Sequence, residues 1–384
     1  MPVQALAIPP ALRGHDLVAR APTGTGKTLA FTLPIMERLR SATASARDGA
    51  RVVVLAPTRE LALQIHDVMA RFGKRVGIST VALVGGIPLR QDHRALRARP
   101  NVVVGTPGRV NDHLEHRNLD LSRIAIVVLD EADRMLDFGF LPQVNRILRT
   151  VPEHRQTMLF SATIPPDIET LIARQLHDPV RVEVGVARAT AAGADERVLF
   201  VGQDQKTTCL VALLREEAGS TLVFVSTKRE ADAVFRQAKA DGLPVAVLHG
   251  DLDQRQRIRA LEAFKEAHAR ILIATDVAGR GLDVEGIAHV VNFDLPTRPD
   301  DYIHRVGRTA RAHATGRATT LVSYDELDAL HTIERHLKKP IPAGTLPAGI
   351  VAPPWVATLR RLTPEAIQHE GVFAPRGFRI GRRR

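Results

Sequence analysis

Asp16-Leu17-Val18-Ala19-Arg20-Ala21-Pro22-Thr23-Gly24-Thr25-Gly26-Lys27-Thr28 joins a short apolar run to residues 29–39, whose apolar side chains recur at helical spacing. A strand, a glycine-containing turn and a helix in this order predict a loop whose backbone N–H groups converge on a phosphate. Gly24 and Gly26 let the backbone turn inward, Lys27 reaches the β- and γ-phosphates, and Thr28 supplies a hydroxyl for Mg²⁺. Ala21 stands where the general pattern has glycine, but this context makes a chance turn the weaker interpretation.

Short β-branched runs recur along the whole chain, with helical stretches between them. Those of the first half are residues 16–19, 52–55, 102–104, 126–129 and 158–160. Those of the second half are residues 222–225, 245–248, 271–274, 289–293 and 319–322. Apolar strands bounded by helices are typical of a parallel sheet buried on both faces. Two such series predict two tandem α/β domains, each a mainly parallel sheet flanked by helices.

The domain limits follow from breaks in this pattern. We expect a first domain at residues 1–185, a linker at 186–195 rich in Ala, Gly and Thr, and a second domain at 196–338. Residues 339–384 lose the pattern in Pro, Gly and Ala and end in Arg382-Arg383-Arg384. We therefore expect a basic, irregular and poorly ordered tail, with a solvated terminus of no function as an equal alternative.

The bulk composition narrows the class of protein. The 384 residues are 45% hydrophobic and 25% charged, typical of a globular protein of two domains. No run of about 18 apolar residues is present, so no membrane partner is expected. The start has no signal-peptide pattern. Cys209 is the single cysteine, which excludes an intramolecular disulfide and a multi-cysteine zinc site and fits a reducing cytoplasm.

The charge favours a polyanionic partner. The formal net charge is +11 and the isoelectric point is about 10.5, and Lys and Arg that neutralise phosphates release counterions. The alternative is that an arginine-rich composition only keeps the protein in solution. Aromatic residues are only 4% of the chain, so base stacking is not expected to be the main mode of recognition.

A second chemical motif follows the apolar run that ends at Leu129. Asp130-Glu131-Ala132-Asp133 lies at the carboxyl end of a predicted strand, in the same sheet as the phosphate loop. There Asp130 would hold Mg²⁺, and Glu131 would polarise an attacking water as general base. Alone, such acids are more often a solvated turn or a helix cap. Downstream of a phosphate loop, the catalytic interpretation is the stronger one.

These residues resemble the DEAD-box RNA helicases, and the resemblance extends from Gln4 to about Arg311. The matching blocks of the first domain are Pro57 to Ala62, Gly85-Gly86, Thr106-Pro107-Gly108-Arg109 and Ser161-Ala162-Thr163. Those of the second are Val223 to Thr227, His249-Gly250, Gln254 to Arg257, Ala274 to Asp283 and His304 to Arg311. Arg134 to Phe140 and Ile333 to Leu337 are similar to the bacterial RhlE-like subgroup.

The resemblance implies a fold and a set of roles. It implies two RecA-like domains with ATP in the cleft between them and RNA across both on the opposite side. Arg308 and Arg311 would act as arginine fingers, which are worth about 10³–10⁵ in rate. Asp283 would accept from the ribose hydroxyl. Asp133, Ser161, Ala162, Thr163 and His304 would relay the nucleotide state to the RNA.

The resemblance also implies an RNA surface. Three small-residue loops of the first domain suit a close approach to a sugar–phosphate backbone: Pro57-Thr58-Arg59, Gly85-Gly86 and Thr106-Pro107-Gly108-Arg109. Their counterparts in the second domain are Thr227, Gly250, Gln254, Arg257, Thr275, Arg280 and Gly281. Each alone is more often a structural turn or helix residue. Together they predict binding to RNA, single-stranded or in short duplexes, without sequence preference.

Two departures from the family pattern concern the nucleotide. Pro2-Val3-Gln4 resembles only the end of the segment that reads adenine, so Gln4 could still bind the base without the usual upstream aromatic. We expect either that the native chain begins earlier or that a clamp on the base is lost. Ala310 replaces the glycine usual between the two arginine fingers, a change that we expect to be tolerated.

Three rival functions stay open. One is a related superfamily 2 helicase acting on DNA, and another is a catalytically impaired RNA clamp or scaffold. A small-molecule kinase is the weakest rival, because it would not need the blocks of the second domain. The RNA, the pathway, the oligomeric state and any ribonucleoprotein or RNA-decay partners are not determined by the sequence.

Overall fold

The computed structural model describes residues 1–22, 24–42, 49–184, 194–279, 287–309, 316–359 and 361. Contacts divide the chain into two units: the first holds Met1–Ala187, Leu252–Ile258 and Val277–Asp283, and the second holds the rest. The main division falls within the predicted linker, whose residues 186–193 lie outside the described residues. In the parts that are described, no helix is long and apolar enough to cross a bilayer.

The sheet of the first unit has seven parallel strands in the order β3-β4-β2-β5-β6-β1-β7. The strands are β1 (Leu17–Arg20), β2 (Val52–Leu55), β3 (Thr80–Leu83), β4 (Val102–Gly105), β5 (Ile126–Asp130), β6 (Gln156–Ser161) and β7 (Val180–Glu183). Side chains alternate across the sheet, so Val52 and Val54 pack into one core while Val53 and Leu55 pack into another. Both faces are therefore buried.

Eight helices cover these two faces in the described part of the first unit. They are α1 (Pro2–Leu12), α2 (Lys27–Ser41), α3 (Arg59–Val76), α4 (Leu89–Arg97), α5 (Pro107–Glu115), α6 (Ala132–Asp137), α7 (Leu141–Leu148) and α8 (Pro166–Gln175). Local chemistry fixes where they begin and end. Thr58 caps α3 by accepting from Leu61 N–H, and Gly77 ends α3 with a φ of +70°.

The sheet of the second unit has six parallel strands in the order β10-β11-β9-β12-β13-β8. The strands are β8 (Ala194–Phe200), β9 (Thr221–Val225), β10 (Val245–Leu248), β11 (Ile271–Thr275), β12 (His289–Asn292) and β13 (Gly316–Val322). The helices are α9 (Lys206–Glu216), α10 (Lys228–Ala240), α11 (Gln254–Lys265), α12 (Asp276–Gly279), α13 (Pro299–Val306) and α14 (Leu327–Leu337). This order repeats that of β3-β4-β2-β5-β6-β1, strand for strand.

The ten predicted strands are confirmed, but three strands and the first helix were missed. The missed strands, β3, β7 and β8, all lie at sheet edges. Edge strands are partly exposed, and β7 alternates polar and apolar side chains, so no continuous apolar run marks it. Strands β3 and β8 do contain apolar runs, at residues 81–84 and 198–201, which were passed over. Helix α1 carries Pro9 and Pro10 in its interior, which obscures its helical pattern.

The expectation of a poorly ordered tail from residue 339 is wrong for its first part. Ile341 is 1% exposed, and Ala343 forms a parallel bridge with Val198 of β8. Trp355 packs edge-on against Phe200 and Tyr324, at ring-centroid distances of 5.8 and 5.7 Å. An apolar anchor and an aromatic cluster therefore hold the described residues after α14 on the second unit. Residues 362–384 lie outside the described residues.

Candidate nucleotide site and nucleic-acid interface

The predicted phosphate loop connects β1 to α2 in the first unit. Gly24 and Gly26 have φ values of +81° and +85°, which glycine adopts without a steric penalty. Lys27 begins α2, is 6% exposed, and donates from Nζ to the Ala21 carbonyl oxygen at 2.9 Å. Thr25 Oγ1 donates to the Pro22 carbonyl oxygen at 2.8 Å. The loop thus curls around the lysine amine; Thr23 lies outside the described residues.

Gln4, predicted to contact adenine, lies against this loop. It is in α1, and its Nε2 donates to the Gly26 carbonyl oxygen at 3.2 Å. A Cβ atom added to Gly26 would come within 2.5 Å of Gln4 Nε2. Glycine at position 26 is therefore favoured by its φ, and a side chain there would also displace the end of the Gln4 side chain.

The two predicted catalytic acids follow each other at the carboxyl end of β5. Burial raises the pKa of Asp130 to about 7, although the nearby Lys27 ammonium acts in the opposite direction. Glu131 is 7% exposed and has a φ of +51°, an uncommon left-handed conformation that strains a non-glycine residue. Its backbone N–H donates to Asp130 Oδ1 at 3.0 Å. The backbone therefore turns sharply between the two carboxylates.

Asp130 and Thr28 fit the demands of a magnesium ion. Mg²⁺ prefers oxygen ligands, and both side chains supply them near the phosphate loop. Burial disfavours the charge of Asp130, so a bound cation would stabilise its carboxylate. Among the described residues no group of three His, Cys, Asp or Glu side chains forms a dedicated metal cage.

The structure brings Asp133 together with the Ser161-Ala162-Thr163 segment at the end of β6. Asp133 Oδ2 accepts from both the backbone N–H and the Oγ1 hydroxyl of Thr163, at 2.9 Å each. The backbone N–H of Asp133 donates to Ser161 Oγ at 3.1 Å. The last acid of the motif is thus bonded to the predicted relay segment at the end of β6.

The three predicted RNA loops of the first unit follow three neighbouring strands. Residues 57–59 follow β2, residues 85–86 follow β3 and residues 106–109 follow β4. Arg59 covers the backbone of Gly85, where an added Cβ would lie 3.1 Å from its Nη2 atom. A Cβ added to Gly108 would meet nothing within 4 Å. The Gly108 side of this edge is therefore open, whereas Arg109 is buried and ion-paired with Asp92.

Three of the RNA residues predicted for the second domain occupy the corresponding strand ends. Thr227 follows β9, Gly250 follows β10, and Thr275 is the last residue of β11. Thr227 caps α10 in a reciprocal capping box with Glu230. Gln254 begins α11, and Arg257 pairs through Nη2 with Glu60 Oε1 at 2.7 Å, both within the first unit as the contacts divide the chain. Arg280 and Gly281 lie outside the described residues.

The last block holds a residue that the sequence analysis passed over. Helix α13 ends at Val306, so Arg308 lies in the following turn and is 5% exposed. Arg311 and Asp283 lie outside the described residues. Arg305, the arginine after His304, was missed.

Arg305 joins several elements of the second unit. It pairs with both carboxylate oxygens of Asp276 at 2.7 Å and donates to Asn292 Oδ1 at 3.2 Å. Its guanidinium also lies over the Phe224 ring, 5.1 Å from the centroid. Its position between His304 and Arg308 in a recognised block was the only sequence signal for it. We conclude that it fixes the last turn of α13 on the sheet.

Comparisons with known proteins agree with this geometry. Residues 1–171 match the family described as DEAD/DEAH box helicase, and residues 205–313 match the helicase conserved C-terminal domain. The DEAD-box ATP-dependent RNA helicase 30 of Arabidopsis thaliana is 41% identical over 98% of this chain. The helicase CshA of Geobacillus kaustophilus is 41% identical over 88% of it. The chain spans 64% and 72% of the lengths of these relatives.

Solved structures give the same result. The S. cerevisiae Dbp5 structure bound to RNA and ADP BeF3 superposes with a TM-score of 0.77 at 31% identity. The match covers 88% of this chain and 89% of Dbp5. Two RecA-like domains define the class, and the chain belongs to the DEAD-box family of ATP-dependent RNA helicases.

Proposed function

We propose that this chain hydrolyses ATP when it is bound to RNA, and that it uses the cycle to separate short duplexes or to remodel RNA–protein complexes. The observation that carries the proposal is the bonding of Asp133 to Ser161 and Thr163. It links the acids beside the phosphate loop to a neighbouring strand end of the same sheet. A nucleotide-dependent shift of the acids would therefore move a second segment with it.

The chemical roles follow from the positions of the side chains. Lys27 contacts the β- and γ-phosphates, and Glu131 orients and deprotonates the attacking water. Thr28 and Asp130 hold Mg²⁺, which neutralises phosphate charge when it is bound. The fingers Arg308 and Arg311 stabilise charge on the transferring phosphoryl group, while Gln4 and Asp283 contact the base and the ribose. Every one of these assignments is part of the proposal.

The proposed RNA surface is the group of strand ends that does not carry the phosphate loop. In the first unit it follows β2, β3 and β4, whereas the proposed nucleotide residues follow β1 and β5 and the proposed relay segment follows β6. Small residues and helix N-termini suit contacts to phosphates and 2′-hydroxyls rather than to base edges. Binding is then independent of sequence. Stacking costs about 1.4 kcal/mol per base-pair step, so one closure releases only a few steps.

The test is the steady-state ATPase rate with and without single-stranded RNA. We expect RNA-stimulated turnover that is lost in Glu131→Gln and kept in the matched control Glu153→Gln, an exposed residue of the same unit. Single-stranded DNA of the same length should not replace RNA. Equal stimulation by DNA would favour the rival DNA helicase, and RNA binding without any turnover would favour the clamp or scaffold.

Duplex length tests the mechanism of separation. In a single-turnover assay we expect a duplex of about ten base pairs to be released far faster than one of about thirty. Equal rates would contradict local, non-processive separation.

We further propose that the chain belongs to the RhlE-like subgroup, on the basis of Arg134 to Phe140. We also propose that it acts in the cytoplasm among ribonucleoprotein or RNA-decay partners, where a single buried cysteine suits a reducing compartment.

A further inference from the structure

Three charged or polar side chains form a buried cluster behind the proposed RNA edge of the first unit. Asp92 of α4 and Arg109 and His113 of α5 are 3%, 8% and 0% exposed. Asp92 Oδ2 accepts from Arg109 Nε at 2.6 Å and lies 2.9 Å from His113 Nε2. His113 Nδ1 has no hydrogen-bond partner among the described residues, so the Asp92 contact is what orients this ring. One carboxylate thus joins two turns of α5 to α4.

The same arginine joins a third segment to the cluster. Arg109 Nη2 donates to the Ile87 carbonyl oxygen at 2.5 Å, directly after the Gly85-Gly86 loop. Arg109 is also the third residue of α5, one position after the open Gly108. The guanidinium therefore fixes the distance between two of the loops that are proposed to contact RNA.

These contacts change the role expected for Arg109. A guanidinium that binds phosphate must face the ligand, whereas this one is buried and engaged by a carboxylate and a carbonyl oxygen. Its charge is balanced inside the protein. It is therefore suited to a positioning role, called a strut below, in which it holds the two loops at a fixed distance. The phosphate contact is then left to the backbone at Gly108.

We propose that Asp92 is a positioning residue for RNA binding, which holds the first turn of α5 and the Gly85-Gly86 loop in register through Arg109. His113 supports Asp92 from the next turn of α5. This inference rests on the proposed RNA function of the two loops. It assigns no phosphate contact to Arg109 itself.

The first test is the RNA affinity of Asp92→Asn, measured with a non-hydrolysable ATP analogue. We expect Kd for single-stranded RNA to rise about tenfold, because a small displacement of a binding loop is costly. The RNA concentration that gives half-maximal ATPase should rise by a similar factor, while kcat at saturating RNA stays within about twofold. Asp112→Asn is the matched control, since Asp112 is an exposed aspartate of the same helix. An unchanged Kd in Asp92→Asn would overturn the proposal.

Arg109→Lys separates the strut from a phosphate contact and serves where Asp92→Asn is poorly folded. Lysine keeps the charge but cannot reproduce the planar two-point contact to Asp92 and Ile87. As a strut, the lysine variant should lose about as much affinity as Asp92→Asn, about tenfold. As a phosphate ligand, lysine should bind almost as well as arginine, and that result would overturn the proposal.

The salt dependence of Arg109→Met gives an independent answer. Each phosphate contact to a single strand contributes about 0.7 to the slope of log Kd against log salt concentration. We expect a weaker affinity with an unchanged slope, whereas a slope reduced by about 0.7 would contradict the strut. A wild-type chain that shows no RNA response would instead remove the proposed function, which keeps the two failures distinct.

Discussion

The two units place a lysine and an aspartate at corresponding points of their sheets and use them differently. In the first unit Lys27 begins the helix after β1, and Asp130 ends β5. In the second unit Lys206 begins the helix after β8, and Asp294 comes two residues after the end of β12. Because the strand orders correspond, each pair lies at the carboxyl edge of its own sheet.

In the second pair, both the lysine and the aspartate are bound by other groups of the protein itself. Lys206 is 1% exposed and donates from Nζ to the Phe293 carbonyl oxygen at 2.8 Å. It pairs with Glu326 at 2.7 Å and lies 3.4 Å from Asp294 Oδ1. Asp294 Oδ2 also accepts from the Ser226 backbone N–H at 2.7 Å. This lysine and its acids therefore serve the fold and hold the segment that leads to Thr227.

The first pair has the contacts that the proposed nucleotide site requires. Lys27 donates to a carbonyl oxygen of its own loop, whereas Lys206 is paired with two carboxylates. Burial raises the pKa of Asp130 to about 7. An acid that resists ionisation and a lysine beside a loop of backbone N–H groups both gain when a phosphate and its cation bind. The same topology thus suits either a ligand site or a structural ion pair. It gives a structural ion pair where carboxylates of the protein neutralise the lysine, as they do at Lys206.

The largest expected effect separates the two lysines by activity. Lys27→Met should lower the ATPase kcat roughly 10²–10³-fold, because it removes a charge placed for the phosphoryl group. The free energy of unfolding of this variant should change little, since the hydrogen bond that is lost joins Lys27 Nζ to the Ala21 carbonyl oxygen of the same loop. The measurement is steady-state ATPase with saturating RNA, alongside urea unfolding. The matched control is the same substitution at position 206, and equal losses of kcat in both variants would contradict the contrast.

The second effect is on stability and has the opposite pattern. Lys206→Met should lower the free energy of unfolding of the second unit by about 3–5 kcal/mol, because Asp294 and Glu326 lose a buried partner. The folded fraction should keep most of its turnover per molecule. Urea unfolding followed by the fluorescence of Trp355, the single tryptophan, reports on this unit. A loss below about 1 kcal/mol would mean that the ion pair is dispensable.

The smallest effect concerns the loops before the two lysines. Gly26→Ala forces a side chain onto a φ of +85°, so it should cost about 1–2 kcal/mol and weaken nucleotide binding. Gly202 in the second unit has a φ of −64°, and a Cβ added there would meet only the end of the Asp204 side chain. Gly202→Ala should therefore be nearly neutral. Thermal unfolding and the ATP KM test both variants. A neutral Gly26→Ala would show that the loop tolerates a side chain.

Much of the candidate site could be predicted from the sequence because it is written in local runs. The phosphate loop and the Asp-Glu-Ala-Asp acids are short segments whose residue types fix their chemistry. Helix α1, three of the four edge strands of the described sheets and the packed residues after α14 were not predicted; their burial depends on neighbours distant in the sequence. Asp92 and His113 gave no signal, since a polar residue on a helix is usually exposed.

The sequence by itself determined the α/β class and the two-domain organisation, since strand periodicity is a local property. Motif composition is local too, and it predicts the chemistry of the ATP and RNA loops. Only the tertiary structure decided which loops are neighbours. The order of the strands separates the nucleotide residues from the proposed RNA loops, and that order results from long-range pairing. Tertiary packing also decided that Lys27 and Lys206 differ. The fold brings two carboxylates beside Lys206, and these neutralise its charge and make it a structural residue.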